Sequence, residues 1–176
     1  MKLKILIKEK EIKKRVKELA EEIKRDYNGK NPVIIGILKG GFVFLSDLIR
    51  NLNFPHEIEF LRVASYGSKS ISNGKIKWIM KPEISLKGRH VLIVEDIIDT
   101  GFTLKMIYEK IKKEKPSSCK ICVFLDKFER RKTKVPLDYV GFRVPNFFLV
   151  GYGLDFDEKF RYLKDIRIID LEEKNG

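Results

Sequence analysis

Three stretches dominated by consecutive apolar residues constrain the fold of this chain more than any other feature. They span 32–38, 90–95 and 119–126. A strand that is apolar on both sides is buried on both faces, as in a parallel sheet covered by helices. Apolar residues recur at spacings of three and four over 10–27. A second helical pattern contains Leu45, Leu48, Ile49 and Leu52, and a further helix is expected at 100–114. The alternation predicts one α/β domain built on a parallel sheet flanked by helices.

The stretch 65–88 differs from the rest of the chain because small and polar residues fill its first half. It contains Asn73-Gly74, which is a hairpin-turn signal. We interpret the stretch as a long excursion of the kind that often covers an active site. Shorter strands are expected on either side of the central pattern, at 57–64, 137–142, 147–152 and 166–171.

The charge balance indicates an anionic partner. The chain of 176 residues has 37 Lys and Arg against 25 Asp and Glu, a formal net charge of +12. Its hydrophobic fraction of 43% is enough for a core and excludes wholesale disorder. Apolar runs such as 33–38 are too short for a membrane span. The run 5–7 ends at Lys8, which is unlike a signal peptide. We expect an intracellular, cytoplasmic protein that meets nucleic acid, acidic lipid or a phosphorylated small molecule.

The two cysteines form a C-x-x-C pattern that we interpret as structural. Cys119 and Cys122 lie on a predicted strand, where an odd separation puts side chains on opposite faces. A redox pair normally sits at a helix start, and a zinc site needs about two more ligands. His56 and His90 are the only histidines. Both thiols are therefore expected to be reduced and in or near the core.

The strongest chemical signal follows the apolar strand at 91–94. Glu95 and Asp96 end this strand, Asp99 comes three residues later, and Thr-Gly-Phe-Thr at 100–103 opens a helix. Backbone N–H groups and hydroxyls at a helix start suit a phosphate. The adjacent carboxylates suit sugar hydroxyls or a hydrated Mg²⁺. Helix capping alone accounts for Asp99 or Thr100 but not for the two carboxylates before them.

This segment, Val-Glu-Asp-Ile-Ile-Asp-Thr-Gly at 94–101, resembles the phosphoribosyl pyrophosphate (PRPP) motif of type I phosphoribosyltransferases, in the form typical of hypoxanthine-guanine phosphoribosyltransferases. The resemblance extends over roughly residues 30–165. It implies a core at about 30–150, a hood made by the N-terminal segment and about 150–176, and a lid at about 65–88. It also implies transfer of a sugar phosphate from PRPP to hypoxanthine or guanine, giving IMP or GMP and pyrophosphate.

The resemblance assigns roles residue by residue. Asp99 matches the proposed general acid/base at the purine imidazole nitrogen, and Lys39-Gly40 matches the pyrophosphate loop, where the family often has a non-proline cis peptide. Glu95, Asp96 and Asp155 match positions near Mg²⁺. The matched PRPP-binding positions are Lys39, Gly40, Glu95, Asp96, Ile98, Asp99, Thr100, Gly101, Phe102, Thr103 and Arg161. Phe102 departs from the family, which often has a basic or small residue there; only its backbone is expected to matter.

The purine side of the site is implied in the same way. Lys127 matches the lysine that donates to the 6-oxo group, which disfavours adenine. Phe148 matches the aromatic residue that stacks on the base, Leu149 reads the base edge and Asp155 lies near the purine. We expect Phe147 in the core and the basic loop around 130–134 in solvent. Ser65-Tyr66 matches the dipeptide of the lid.

Two alternatives stay open. Some proteins with this fold bind nucleic acid and use PRPP or a nucleotide as a signal, and the charge of +12 makes such a regulator worth stating. Against it, the sequence has no helix-turn-helix or RNA-binding signature. The preference among hypoxanthine, guanine and xanthine is not fixed by the sequence. The family is usually dimeric or tetrameric, so a homodimer or homotetramer is expected.

Overall fold

The computed structural model describes residues 2–65 and 76–170. The helices and strands in chain order are β1 (Lys2–Ile7), α1 (Glu9–Tyr27), β2 (Val33–Ile37), α2 (Phe42–Ile49), β3 (Glu57–Ser65), β4 (Ile76–Met80), β5 (His90–Ile98), α3 (Phe102–Lys113), β6 (Ser118–Asp126), β7 (Tyr139–Arg143), β8 (Leu149–Val150) and β9 (Ile166–Asp170). The predicted α/β class is confirmed, and most element boundaries agree with the sequence patterns to within a few residues.

Two sheets form within the described part of the chain. The larger has six strands in the order β4-β3-β2-β5-β6-β7, and the smaller has three in the order β1-β9-β8. The neighbours from β3 through β7 are all parallel, whereas β4 joins β3 antiparallel. The excursion after β3 therefore includes an edge strand that the sequence analysis did not predict. In the smaller sheet, β1 from one end of the chain pairs with β9 from the other.

The apolar strands separate two hydrophobic clusters, one on each face of the larger sheet. One cluster contains Ile34 together with Leu19 of α1 and Phe44 of α2. The other contains the neighbouring Ile35 with Ile107 of α3. Adjacent strand residues thus bury on opposite faces, which explains the consecutive apolar runs. In the described ranges, no helix combines the length and the apolar character that a bilayer span requires.

The two cysteines behave as predicted. Cys122 packs in the cluster that includes α1 and α2, and Cys119 packs against the cluster that includes α3, so they lie on opposite faces. Both are free thiols. Burial raises the pKa of Cys119 to about 12 and that of Cys122 further, which makes both thiols poor nucleophiles.

Candidate active site

A cavity of about 450 Å³ lies where parallel strands β2, β5 and β6 end, the usual ligand position in an open α/β sheet. Turns from the smaller sheet form its other wall. Eight residues predicted from the sequence to bind substrate line it together: Lys39, Gly40, Asp96, Lys127, Phe148, Leu149, Asp155 and Arg161. These residues are up to 122 positions apart in the chain, so the fold rather than local sequence assembles the set.

The turn after β2 presents backbone to the cavity. The peptide bond between Leu38 and Lys39 is cis although no proline follows. Gly40 lies so close to Asp96 that a Cβ built on the glycine would overlap the carboxylate oxygen Oδ2. A side chain on Gly41 would in turn meet the carbonyl oxygen of Ile37. Both positions need glycine because neighbouring atoms come too close to the backbone for a side chain to fit. A backbone without side chains can approach a bulky anion closely.

The acidic pair lies within a strand and not after it. The sequence analysis ended this strand at Glu95, but β5 continues to Ile98 because β6 pairs with it as far as Asp126. Glu95 accepts a hydrogen bond from the N–H of Asp96 at 3.0 Å, and Asp96 accepts one from the N–H of Ile97 at 2.7 Å.

Electrostatics make this acidic pair unusual. Burial, and next the neighbouring Asp96 charge, raise the pKa of Glu95 well above its usual range. Burial also raises the pKa of Asp96, whose residue is only 9% exposed. Two adjacent carboxylates with raised pKa values form a site that favours a bound cation.

The predicted phosphate loop follows directly but does not line the cavity. Asp99, Thr100 and Gly101 connect β5 to α3, and Phe102 and Thr103 form its first residues. Gly101 precedes the helix in a left-handed conformation (φ 87°), where a residue with a side chain would be strained. The backbone N–H groups at the start of α3 are of the kind that binds a phosphate.

The basic loop after β6 is exposed to solvent at Arg130, Lys132 and Lys134, as expected, and it is also joined by hydrogen bonds to the loop after β5 and to β6. Arg130 donates from Nε to Asp99 Oδ1 at 2.8 Å, and Arg131 contacts Asp126 Oδ2 at 3.0 Å. The N–H of Lys132 donates to the carbonyl of Thr100 at 3.0 Å. Within the described residues, the other oxygen of the buried Asp126 has no hydrogen-bond partner.

The lining residues that are predicted to hold the purine include one cation, Lys127, and one aromatic ring, Phe148. Lys127 is half-buried, and burial lowers its pKa while Asp99 opposes the shift. Phe148 is 46% exposed and packs edge-on against Phe156 with ring centroids 5.3 Å apart. The expectation that Phe147 is in the core is wrong: it is 48% exposed, because it precedes β8 in a loop and lies on no strand.

The opposite side of the cavity holds a network of four charged residues. Arg161 contacts Asp155 at 3.0 Å and Glu158 at 3.2 Å, and its guanidinium donates to the carbonyl of Gly153 at 2.8 Å. Glu158 also pairs with Lys39 at 3.0 Å. The turn after β2 and the 151–161 segment are thereby joined by ion pairs across the cavity.

Five further lining residues were missed from the sequence. They are Leu38, Arg62, Ile97, Leu154 and Glu158. Arg62 could have been recognised from the sequence pattern, since it interrupts the otherwise apolar end of β3. No sequence pattern distinguishes Glu158, because a charged residue in a polar loop is ordinarily solvated. Of the two predicted lid residues, Ser65 is the last residue of β3 and Tyr66 lies outside the described residues.

The residues present fit a magnesium ion that also takes oxygens from a substrate. Across 2–65 and 76–170, no three Asp, Glu, His or Cys side chains are grouped closely enough to hold a metal. Glu95 and Asp96 nevertheless provide adjacent hard oxygen donors whose charge is destabilised by burial. Mg²⁺ is commonly bound by one or two carboxylates with water and phosphate oxygens completing its shell.

Comparisons with known proteins agree with this geometry. The family model of the phosphoribosyl transferase domain matches residues 4–157. A hypoxanthine-guanine phosphoribosyltransferase from Aquifex aeolicus is 48% identical over 170 residues, covering 96% of both chains. Relatives from Bacillus subtilis and Haemophilus influenzae, 44% and 41% identical, are likewise named as phosphoribosyltransferases, and the alternative of a nucleic-acid-binding regulator finds no support in them.

Solved structures are similar over nearly the same span. A hypoxanthine-guanine phosphoribosyltransferase from Bacillus anthracis has a TM-score of 0.91 and 42% identity, covering 95% of this chain and 98% of that one. A hypoxanthine phosphoribosyltransferase from Staphylococcus aureus has a TM-score of 0.93 and 39% identity, covering 98% and 94%. The likeness therefore includes the turns that line the cavity as well as the sheet.

Proposed function

This chain belongs to the phosphoribosyl transferase family, and we propose that it transfers the 5-phosphoribosyl group of PRPP to hypoxanthine or guanine. The products are IMP or GMP and pyrophosphate. The observation that carries the proposal is that one cavity is lined by two cations, Lys39 and Arg161, and also by Lys127 and the aromatic ring of Phe148. This arrangement matches a substrate with a diphosphate at one end and an accepting base at the other.

The binding roles divide along the cavity. Lys39 and Arg161 take the pyrophosphate group with the backbone of Gly40, and the loop 99–103 takes the 5′-phosphate through its N–H groups and hydroxyls. In this proposal the carboxylates of Glu95 and Asp96 take the ribose hydroxyls, which lie between the two anionic ends of PRPP. The arrangement holds the sugar by its two phosphate ends, and so fixes the position of the carbon that reacts.

The base is held by different chemistry. Phe148 stacks on the purine, the Leu149 backbone reads its edge, and the Lys127 ammonium donates to the 6-oxo group. An amino group at that position is itself a donor, so adenine leaves the lysine unpaired. The preference between hypoxanthine and guanine depends on the contacts made at position 2 of the base.

Asp99 is the proposed proton acceptor. As the imidazole nitrogen of the purine forms its bond to the ribose carbon, the bond to pyrophosphate breaks and the diphosphate leaves with the electron pair. The purine proton moves to the Asp99 carboxylate. Arg130, 2.8 Å away, orients this carboxylate before the base arrives.

We propose that Mg²⁺ is the cofactor, with Glu95 and Asp96 at one ion and Asp155 near a second, each completed by water and substrate oxygens. When bound, it neutralises part of the charge on the diphosphate as that group leaves. The same proposal includes a hood formed by the β1-β9-β8 sheet, a cytoplasmic location, and a homodimer or homotetramer. Ser65 and Tyr66 keep a proposed role in excluding water at the reacting centre, which rests on the sequence alone.

The test is a coupled measurement of both products. With PRPP, Mg²⁺ and hypoxanthine, the protein should form IMP and pyrophosphate in equal amounts, and omission of hypoxanthine should abolish both. Pyrophosphate release without a purine would indicate hydrolysis. Absence of IMP, together with absence of GMP when guanine replaces hypoxanthine, would refute the proposal.

A further inference from the structure

Glu158 occupies the space between the two cations that the proposed function gives to pyrophosphate. Its Oε1 is 3.0 Å from Lys39 Nζ, and its Oε2 is 3.2 Å from Arg161 Nη2. All three side chains line the same cavity. The carboxylate therefore satisfies, from within the chain, the donors that an incoming diphosphate would need.

The two cations differ in how firmly they are held. Arg161 is 19% exposed and stays fixed by Asp155 and the Gly153 carbonyl even without Glu158. The Glu158 side chain is 65% exposed, and the Lys39 side chain is 46% exposed. Hydrogen bonds from Lys39 and Arg161 lower the pKa of Glu158, so it is charged at neutral pH. An exposed carboxylate can move away while the arginine remains in place.

The backbone favours this placement of Glu158. Asp157 and Glu158 both have positive φ, 53° and 59°, and form the centre of a tight hairpin closed by Phe156 and Lys159. The Glu158 N–H donates to Asp155 Oδ2 at 2.9 Å. Two consecutive residues with side chains rarely adopt this left-handed form, for which Asn-Gly is the preferred pair. The turn thus fixes the backbone from which the carboxylate reaches the cations.

We propose that Glu158 is an internal competitor of pyrophosphate. The proposal rests on the proposed function. In the ligand-free protein its carboxylate neutralises Lys39 and Arg161. It leaves them when the diphosphate of PRPP binds, and it competes for them again when pyrophosphate has formed. Glu158 therefore weakens diphosphate binding and speeds pyrophosphate release.

The experiment measures the affinity for magnesium pyrophosphate by titration calorimetry at fixed ionic strength, in the full-length protein. Glu158→Gln should lower the dissociation constant by roughly threefold to tenfold, the range expected when one or two exposed ion pairs no longer compete. The inhibition constant of pyrophosphate against PRPP should fall by the same factor.

Asp157→Asn is the matched control. It removes the same charge from the adjacent position of the same turn, but Asp157 contacts Lys159 and does not line the cavity. Its dissociation constant should equal that of the wild type. Glu158→Gly also removes the carboxylate and suits the left-handed backbone, so it should reproduce the tightening even if glutamine disturbs the turn.

The outcomes separate this inference from the function on which it rests. If the wild type binds magnesium pyrophosphate and forms IMP, but neither Glu158 variant binds more tightly, Glu158 is not a competitor. Weaker binding by both variants would mean that Glu158 orders the cations for the ligand, which also overturns the inference. A wild type that neither binds pyrophosphate nor forms IMP refutes the proposed function itself.

Discussion

The backbone of Gly40 packs directly against the carboxylate of Asp96, leaving no room for a Cβ between them. The two residues come from neighbouring parallel strands, since Gly40 follows β2 and Asp96 lies in β5. Strand pairing therefore brings the proposed pyrophosphate loop into contact with the acidic pair. The chemistry of the site depends on this contact as much as on the charged side chains.

Replacing Gly40 by alanine should cost far more activity than stability. The methyl group must displace either the turn or the Asp96 carboxylate, and a shift of about 1 Å at a reacting centre can cost about a hundredfold in rate. We expect kcat/KM to fall by at least about this factor, with the chain still folded by circular dichroism.

Gly29→Ala provides the control for that experiment. Gly29 has φ 77° with no atom near its added Cβ, so alanine there is strained but crowds nothing. The cost of about 1–2 kcal/mol should lower Tm by roughly 2–8 °C while kcat/KM stays unchanged. Equal losses of activity in the two variants would show that the contact with Asp96 has no special role.

Asp99→Asn should lower kcat by about 10²–10⁴-fold, because an amide does not accept the purine proton. KM for PRPP should change little, since the phosphate loop is built from backbone. Glu129→Gln removes a charge from the adjoining basic loop and should leave kcat at the wild-type value. Steady-state kinetics at saturating purine measures both, and an Asp99→Asn enzyme with wild-type kcat would eliminate the proton-acceptor role.

Lys127 predicts a pH dependence. Its pKa lies below the ordinary 10.5 because of burial, with Asp99 opposing the shift and Arg130 adding to it. The charged donor is present below that pKa and is lost as pH rises through it. KM for hypoxanthine should therefore increase at alkaline pH, with a midpoint below 10.5. In Lys127→Arg, which stays charged, this increase should disappear; its persistence at the same midpoint would assign it to another group.

Arg62 is expected to contact the anionic substrate. It lines the cavity and forms no ion pair with any residue in the described ranges. Arg62→Gln should raise KM for PRPP about tenfold, the size of one charge-assisted hydrogen bond, with a smaller effect on kcat. Arg50→Gln, an exposed position after α2, is the control. If the two variants show the same KM, Arg62 has no role in binding.

The sequence was sufficient for the fold and for the residues with local motifs. The apolar runs identified the buried strands, and the segment 94–101 identified the acidic pair and the phosphate loop. Eight residues assigned through the family resemblance meet in one cavity. The fold predictions succeed because each depends on a local apolar pattern whose physical cause is burial, whereas the eight cavity residues were assigned through the family resemblance.

What the sequence did not predict depends on contacts between distant segments. Glu158 meets Lys39 across 119 positions, and Arg130 meets Asp99 only because the loop after β6 folds back toward β5. The length of β5 depends on its pairing with β6, and the exposure of Phe147 depends on the shortness of β8. None of these has a periodic or motif signal.

Phosphoribosyl transfer to a 6-oxopurine is tested most directly by measuring nucleotide formation from PRPP and Mg²⁺. Hypoxanthine, guanine, xanthine and adenine are compared under identical conditions. We expect that kcat/KM for hypoxanthine or guanine is about a hundredfold or more above that for adenine, because Lys127 offers a hydrogen-bond donor where adenine also presents one. Equal or better use of adenine, or no nucleotide from either hypoxanthine or guanine, would contradict it.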